Sequence, residues 1–207
     1  MDKLLTTMRR LRAPDGCPWD REQTHESLRP YLLEEAAEAV DALSLGNPKM
    51  MADELGDVLL QVAFHAVVAE EAETFSYEDI ENSIVEKLVR RHPHIFGDTQ
   101  VVDSAEVKRN WERIKREERG GVEPSPADRV PRSLPALMRA AELGRKLGWP
   151  PGSPAQIENA LNVPPTEEAL GKLLLAVTDY ARAAGVNPEL ALRRAADAQA
   201  ETAEPAA

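Results

Sequence analysis

Residues 32–40 have the sequence LLEEAAEAV and residues 52–60 have the sequence ADELGDVLL, and these two stretches carry the strongest structural signal of the chain. In the second stretch, apolar residues border the acidic ones at the spacing of an amphipathic helix. The segment Gly46-Asn47-Pro48 between the stretches is short and consists of turn-forming residues. We therefore predict two consecutive helices that form an antiparallel hairpin.

The predicted hairpin carries five carboxylates: Glu34, Glu35, Glu38, Glu54 and Asp57. Residues three or four positions apart share one face of a helix, so each helix presents its acidic groups together. Like charges at this spacing repel by about 0.2–0.5 kcal/mol per pair, and no Lys or Arg at the same spacing compensates them. Oxygen ligands of this kind suit Mg²⁺ or Mn²⁺. The pattern predicts a metal site, and a solvated acidic surface is the alternative.

Composition favours an all-α fold. The chain has 207 residues, enough for one large or two small domains. Hydrophobic residues make up 43% of the chain but aromatic residues only 4%, so the core must be aliphatic. A core of Leu, Val and Ala favours helices over sheets.

Charge and cysteine content restrict the partners and the compartment. A net charge of −11 argues against nucleic acid or an anionic membrane as the main partner. Small phosphorylated ligands remain compatible, because a metal can bridge two anions. Cys17 is the single cysteine, and the N-terminus lacks the apolar stretch of a signal peptide. We expect a cytoplasmic protein with no membrane-spanning segment.

Periodicity and helix-capping signals predict eight helices along the chain. Ser76 with Asp79 marks the start of the fourth helix, and Asp103 or Ser104 marks the start of the fifth. No segment before residue 120 alternates at the period of a strand. The predicted helices span residues 2–12, 27–45, 48–73, 77–91, 104–119, 133–148, 166–184 and 187–199.

The chain divides into two halves that share a short sequence similarity. We predict a first domain over 1–119, a Gly- and Pro-rich linker over 120–133, a second helical domain over 134–200 and a frayed tail over 201–207. The stretch 53–60, DELGDVLL, aligns with the stretch 168–175, EALGKLLL. Ala169 and Lys172 replace the two acidic positions of the first copy. Chance similarity between two amphipathic helices is the alternative.

Two cation-bearing segments are candidate ligand contacts. Lys87 and Arg91 share a face near the end of the fourth predicted helix, where they either complement the helix dipole or face a polyphosphate. Trp111 and Lys115 lie one helical turn apart, which suits a base together with a phosphate. A core position for Trp111 is the alternative.

Other kinds of site find little support in the sequence. His92 and His94 flank a proline, but a zinc site needs further ligands and Cys17 is the only thiol. His65, within the third predicted helix, is expected to be a hydrogen-bonded core residue. The sequence contains neither a Gly-rich phosphate loop nor a recognisable Ser-His-Asp arrangement.

Several blocks of the chain, in this order, resemble the MazG nucleoside triphosphate pyrophosphohydrolase family. The resemblance covers residues 1–119 almost continuously and resumes at 131–137. It implies an all-α fold, a Mg²⁺ requirement and a homodimer or higher homo-oligomer with shared active sites. The blocks are Gly16-Cys17-Pro18-Trp19-Asp20 with Gln23-Thr24, the two acidic motifs, Arg90-Arg91-His92-Pro93-His94 with Phe96, and Asn110-Trp111-Glu112 with Lys115.

The resemblance also implies a role for each candidate residue. Metal ligands are expected at Glu35, Glu38, Glu54 and Asp57, with Glu34 assisting. Triphosphate contacts are expected at Lys87, Arg91 and Lys115, and a base or sugar contact at Trp111. The second half departs from two-domain relatives because Ala169 and Lys172 replace ligands and no second EExxE motif precedes them. It is expected to be a degenerate MazG-like domain.

The predicted activity is Mg²⁺-dependent hydrolysis of NTPs or dNTPs to the monophosphate and pyrophosphate, as in house-cleaning of the nucleotide pool. Water would attack the α-phosphorus, with Glu34 or Glu38 as the base. The rival hypothesis is a non-catalytic helical module that binds nucleotides or a protein and keeps a relic acidic site. A di-iron carboxylate bundle fits less well, because no Glu-x-x-His pair accompanies the acidic motifs.

Overall fold

The computed structural model describes residues 1–120 and 125–202, and over these residues it is helical and contains no strand. This confirms the all-α prediction. The chain divides into two compact units, Met1–Ile114 and Lys115–Ala207, which are described separately. Among the described helices, none combines the length and apolar character needed to cross a membrane.

The helices of the first unit are α1 (Asp2–Arg12), α2 (Pro18–Glu22), α3 (Arg29–Leu45), α4 (Pro48–Glu71), α5 (Tyr77–Arg91) and α6 (Pro93–Phe96), and α7 (Ser104–Glu118) runs past its last residue. α4 is the central element, and α1, α3 and α5 each pack against it. α3 and α4 are consecutive and form one long hairpin.

The α3–α4 hairpin forms as the turn residues predicted. α3 ends at Gly46, whose φ of 70° lies in the left-handed region that glycine adopts without strain. The side-chain oxygen of Asn47 then accepts hydrogen bonds from the backbone N–H groups of Lys49 and Met50, at 3.0 and 3.4 Å. Pro48 occupies the first turn of α4, where no N–H is needed.

The core of the first unit lies on the side of α4 that faces α1. Its buried members come from α1, from the turn before α3 and from α4 at helical spacing. Tyr77 and Ile80 of α5 pack against the edge of this core. The buried residues are Leu5, Met8, Leu28, Ala63, Phe64, Ala66 and Val67.

The second unit has a separate set of helices, which are α8 (Ala136–Leu147), α9 (Pro154–Leu161), α10 (Glu167–Ala183) and α11 (Pro188–Thr202). α10 packs against both α8 and α9, and α11 packs against α8. A 3₁₀ helix over Pro126–Arg129 precedes them within the predicted linker, of which residues 121–124 lie outside the described part.

The predicted helix limits are confirmed to within a few residues, apart from one correction and three additions. α8 begins at Ala136 rather than at 133, because Pro135 disfavours helical backbone at the residue before it. The short helices α2, α6 and α9 were not predicted, and each begins at a proline in its first turn. Of the predicted tail, residues 203–207 lie outside the described part.

Candidate active site

The α3–α4 hairpin brings three carboxylates together. One oxygen from each of Glu35, Glu38 and Glu54 lies within 4.8 Å of the others. Glu35 and Glu38 come from α3 and Glu54 from α4, so this cluster exists only because the hairpin folds back on itself. Glu35 and Glu54 are half-buried, whereas Glu38 is exposed.

Burial, and after it the charges of neighbouring carboxylates, raise the pKa of two members of the cluster. The pKa of Glu35 is raised first by burial and then by the charges of Asp57, Glu38, Glu34 and Glu54, in that order. The pKa of Glu54 is raised by burial and then by Glu38, Asp57 and Asp53. Asp57 is not one of the three converging groups, but its charge acts on both Glu35 and Glu54. All five predicted carboxylates therefore belong to one electrostatic unit.

The chemistry of this cluster fits a divalent cation. All its ligand atoms are carboxylate oxygens, which are the donors that Mg²⁺ and Mn²⁺ prefer. A cation would relieve the repulsion that raises the pKa of Glu35 and of Glu54. Within the ranges 1–120 and 125–202, no other group of three or more His, Cys, Asp or Glu side chains converges as closely.

The predicted phosphate contacts lie on two different helices. Lys87 and Arg91 lie on α5, which packs against α4, and both are half-buried. A complete capping box at Ser76 and Asp79 fixes the start of this helix. Lys115 is half-buried on α7, one residue beyond the end of the first unit.

Trp111 contacts the residue that ends α5. Its ring lies edge-on to the ring of His92, with 5.1 Å between the centroids. His92 in turn hydrogen-bonds through Nδ1 to the carbonyl of Leu88, at 2.7 Å. The indole N–H of Trp111 is buried and has no hydrogen-bond partner among the described residues. Trp111 is therefore half-buried against the end of α5, close to where Arg91 lies.

An aromatic cluster stands beside the start of α3. Trp19 of α2 is 49% exposed and lies edge-on to Tyr31, at 5.8 Å, and to Phe64, at 6.4 Å. Tyr31 lies in the first turn of α3, one helical turn before Glu34 and Glu35. The sequence did not predict contacts of Trp19 with Tyr31 and Phe64, although Trp19 belongs to a block that carries the family resemblance.

Arg12 fixes the segment that carries Trp19. Its side chain is only 6% exposed and pairs with Glu71 of α4 at 2.6 Å. The same guanidinium donates hydrogen bonds to the backbone carbonyls of Asp20 and Gln23 and lies over the ring of Phe64. This arrangement ties α1, α2 and α4 together, and nothing in the local sequence around Arg12 indicated it.

His65 is hydrogen-bonded, as predicted, and its partner is a second histidine. The Nδ1 atoms of His25 and His65 are 2.8 Å apart. Burial, and after it the charge of His25, lower the pKa of His65. His25 was missed by the sequence analysis because 40 residues separate it from His65.

The second unit carries no such acidic cluster at the corresponding helix. Ala169 and Lys172 of α10 stand at the positions that Glu54 and Asp57 hold in the aligned stretch of α4. The Lys172 ammonium lies 2.5 Å from the carboxylate of Glu168, and both side chains are exposed. This hydrogen bond lowers the pKa of Glu168, the reverse of the effect on Glu54.

Comparison with known proteins places this geometry in a family. The MazG nucleotide pyrophosphohydrolase domain matches residues 23–96, which include all five carboxylates. The nucleoside triphosphate pyrophosphohydrolase/pyrophosphatase MazG of Thermotoga maritima is 41% identical over 94% of this chain and 80% of its own length. The nucleoside triphosphate pyrophosphohydrolase of Escherichia coli K12 is 40% identical over 94% of this chain and 82% of its own length. The chain therefore belongs to the MazG nucleotide pyrophosphohydrolase family.

Proposed function

We propose that the protein is an enzyme that hydrolyses nucleoside triphosphates to nucleoside monophosphates and pyrophosphate and that it requires Mg²⁺. The observation that carries this proposal is the convergence of Glu35, Glu38 and Glu54 within 4.8 Å on the matched hairpin. The names of the relatives support the substrate class, since they are nucleoside triphosphate pyrophosphohydrolases.

Four carboxylates would hold the metal: Glu35, Glu38, Glu54 and Asp57. Their uncompensated charge and their all-oxygen donor set support this assignment, and Mn²⁺ would be accepted in place of Mg²⁺. When bound, the cation neutralises charge on the triphosphate. The chain's own contribution is to keep ligands from two helices within reach of one ion.

Either Glu34, which lies next to these ligands, or Glu38, which is one of them, would act as the general base. Glu34 is exposed on α3, and Glu38 is exposed at the edge of the cluster. Either carboxylate would take a proton from the attacking water while the water oxygen forms a bond to the α-phosphorus. The bond from the α-phosphorus to the bridging oxygen then breaks, and the electron pair leaves with pyrophosphate.

Cationic side chains would bind the rest of the substrate. We assign the triphosphate to Lys87, Arg91 and Lys115 and the base or sugar to Trp111. The position of Lys87 and Arg91 on a helix that packs against α4 supports the assignment, as does the proximity of Trp111 to the end of that helix. Such cations stabilise negative charge that builds up on departing pyrophosphate.

The second domain, over 134–200, is assigned a non-catalytic role. Its α10 offers Ala169 and Lys172 in place of ligands, and Lys172 is paired with Glu168. Catalysis is therefore assigned to residues 1–119, upstream of the connecting residues 120–133.

We further assign a homo-oligomeric state, a homodimer or larger. Apolar side chains of the first unit that a partner copy would cover include Leu33, Leu55 and Leu88, which are 61%, 48% and 47% exposed. Light scattering on the purified chain should give at least twice the mass of one chain. A mass of one chain at micromolar concentration would contradict this assignment.

The direct test of the function is pyrophosphate release from a panel of NTPs and dNTPs, with Mg²⁺ and with EDTA. Release that depends on Mg²⁺ and yields the monophosphate as the second product would support the proposal and rank the substrates. A folded chain that binds Mn²⁺ and nucleotide but releases no pyrophosphate would support a non-catalytic binding module instead.

A further inference from the structure

The contact between His25 and His65 is a straight hydrogen bond. The Nδ1 atoms are 2.8 Å apart, the ring planes are tilted by 10° and the centroids are 5.1 Å apart. The centroid separation equals the Nδ1 separation plus two ring radii, so the rings meet edge to edge. One Nδ1 must therefore donate its proton to the other, which requires two neutral rings in opposite tautomers or a single shared positive charge.

The pair closes the end of the hairpin that the turn leaves open. His25 lies in the turn that leads into α3, and His65 lies on α4, about 12 Å beyond Asp57 along the helix axis. Gly46 and Asn47 join α3 to α4 at the opposite end. The carboxylate cluster lies between these two connections.

A metal site between two helices needs such a connection because its ligands repel one another. Glu35 and Glu38 on α3 and Glu54 on α4 bring one carboxylate oxygen each within 4.8 Å of the others, so like charges of the two helices lie close together. A hydrogen bond near the start of α3, added to the packing of Leu28 in the core, opposes the separation that this repulsion favours. If the helices moved apart, the free energy needed to bring them back together would weaken metal binding.

His25 is itself held in place from a third element. The ring of Phe75, in the loop after α4, lies at 6.0 Å from the ring of His25, with the planes tilted by 20°. His65 is half-buried on α4. A hydrogen bond between two ordered, partly buried rings costs little side-chain entropy, so it can fix a helix separation.

From this geometry we propose that His25 and His65 are positioning residues for the metal site: their hydrogen bond holds α3 against α4 at the separation that metal coordination needs. The inference rests on the proposed function, in which Glu35, Glu38, Glu54 and Asp57 hold the metal. Neither histidine touches the metal or the substrate in this account.

The test is Mn²⁺ affinity of the full-length chain, measured by electron paramagnetic resonance titration. His25→Ala and His65→Ala should each weaken Mn²⁺ binding by about threefold to tenfold, the range expected for one hydrogen bond. The double variant should bind no more weakly than either single variant, because both changes remove the same bond. Should His65→Ala fail to fold, His25→Ala alone carries the measurement.

Conservative replacement separates positioning from general support of the fold. In asparagine the side-chain amide stands where Nδ1 stands in histidine, so His65→Asn keeps a hydrogen-bonding group facing His25. It should restore most of the Mn²⁺ affinity that His65→Ala loses. A His65→Asn protein that binds as weakly as His65→Ala would overturn the proposal.

Arg9→Ala is the matched control. It removes the two-bond ion pair between Arg9 of α1 and Glu70 of α4, both bonds at 2.9 Å, which ties α4 to a different helix. It should lower the melting temperature and leave Mn²⁺ affinity unchanged. Equal weakening by Arg9→Ala, or unchanged affinity in folded histidine variants, overturns this inference alone. A wild-type chain that binds no Mn²⁺ overturns the proposed function as well.

Discussion

The helices α4 and α10 share a stretch of eight residues that is identical at four positions, but their acidic groups have different neighbours. On α4, Glu54 faces the carboxylates of α3 and its pKa is raised by burial and by Glu38 and Asp57. On α10, Glu168 has Lys172 one turn later, at 2.5 Å, and its pKa is lowered. A cation three or four positions away on the same helix therefore neutralises a carboxylate that would otherwise be available to a metal.

The two helices also differ in what precedes them. α4 follows a helix that carries Glu35 and Glu38, and the hairpin turn brings both of them close to Glu54. α10 follows α9, whose sequence PAQIENAL contains a single acidic residue. A metal site therefore needs both members of the hairpin, and α10 lacks its partner.

The largest effect is expected from placing the lysine of α10 into α4. Asp57→Lys introduces a cation three residues after Glu54 and next to Glu35, so it should neutralise the charge that attracts the metal. Mn²⁺ affinity should fall by more than the about 10- to 100-fold that loss of an outer-shell partner causes. Electron paramagnetic resonance titration measures this fall.

The reverse exchange is the control for this experiment. Lys172→Asp makes α10 resemble α4, but without facing glutamates it should create no second Mn²⁺ site. A Lys172→Asp chain with an additional bound Mn²⁺ would contradict the requirement for both helices, as would an Asp57→Lys chain with wild-type affinity.

A smaller effect is expected in the pH dependence of stability without metal. The pKa of Glu54 in the folded chain lies above its ordinary 4.5, so the folded state binds more protons than the unfolded state. This group therefore makes the metal-free protein less stable as the pH rises above 4.5. Over that range, Glu54→Gln should have a higher melting temperature than wild type when both proteins are measured in EDTA.

Glu168→Gln should show the opposite sign. The pKa of Glu168 is lowered, so its ion pair stabilises the folded chain above the ordinary pKa of 4.5, and that stability is lost as the pH falls through the folded value. The melting temperature of Glu168→Gln should therefore fall below that of wild type as the pH rises. The same sign in both variants would contradict the contrast between the two helices.

The smallest effect is expected from Lys172→Gln at neutral pH. The pair with Glu168 joins two exposed side chains on one helix, where water and salt screen most of the attraction. The melting temperature should fall slightly, by no more than in Glu168→Gln, which breaks the same pair, and pyrophosphate release should equal that of wild type. A clear loss of activity would show that α10 contributes to catalysis, against the assignment of catalysis to the first domain.

Most of the fold follows from local sequence signals. Capping at Ser76, the Gly46-Asn47-Pro48 turn and apolar periodicity gave helix limits close to those observed. The short helices α2 and α9 were not predicted because a proline can either interrupt a helix or occupy its first turn. α2 has five residues and α9 has eight, and helices this short show too little apolar periodicity to distinguish the two cases.

The acidic cluster was also accessible from sequence, because each helix carries its carboxylates at helical spacing and a short turn brings the two helices together. The contacts between distant segments were not accessible. His25 with His65 and Arg12 with Glu71 join residues 40 and 59 positions apart, and no periodic pattern pairs such positions. Only the packing of α1, α3 and α4 brings them into contact.

We expect the carboxylates of the α3–α4 hairpin to carry the activity of the whole chain. This is tested by measuring pyrophosphate release in Mg²⁺ from three full-length proteins: wild type, Glu54→Gln and Glu168→Gln. Glu54→Gln should fold but release no pyrophosphate, while Glu168→Gln should match wild type. Turnover retained by a folded Glu54→Gln protein would contradict it.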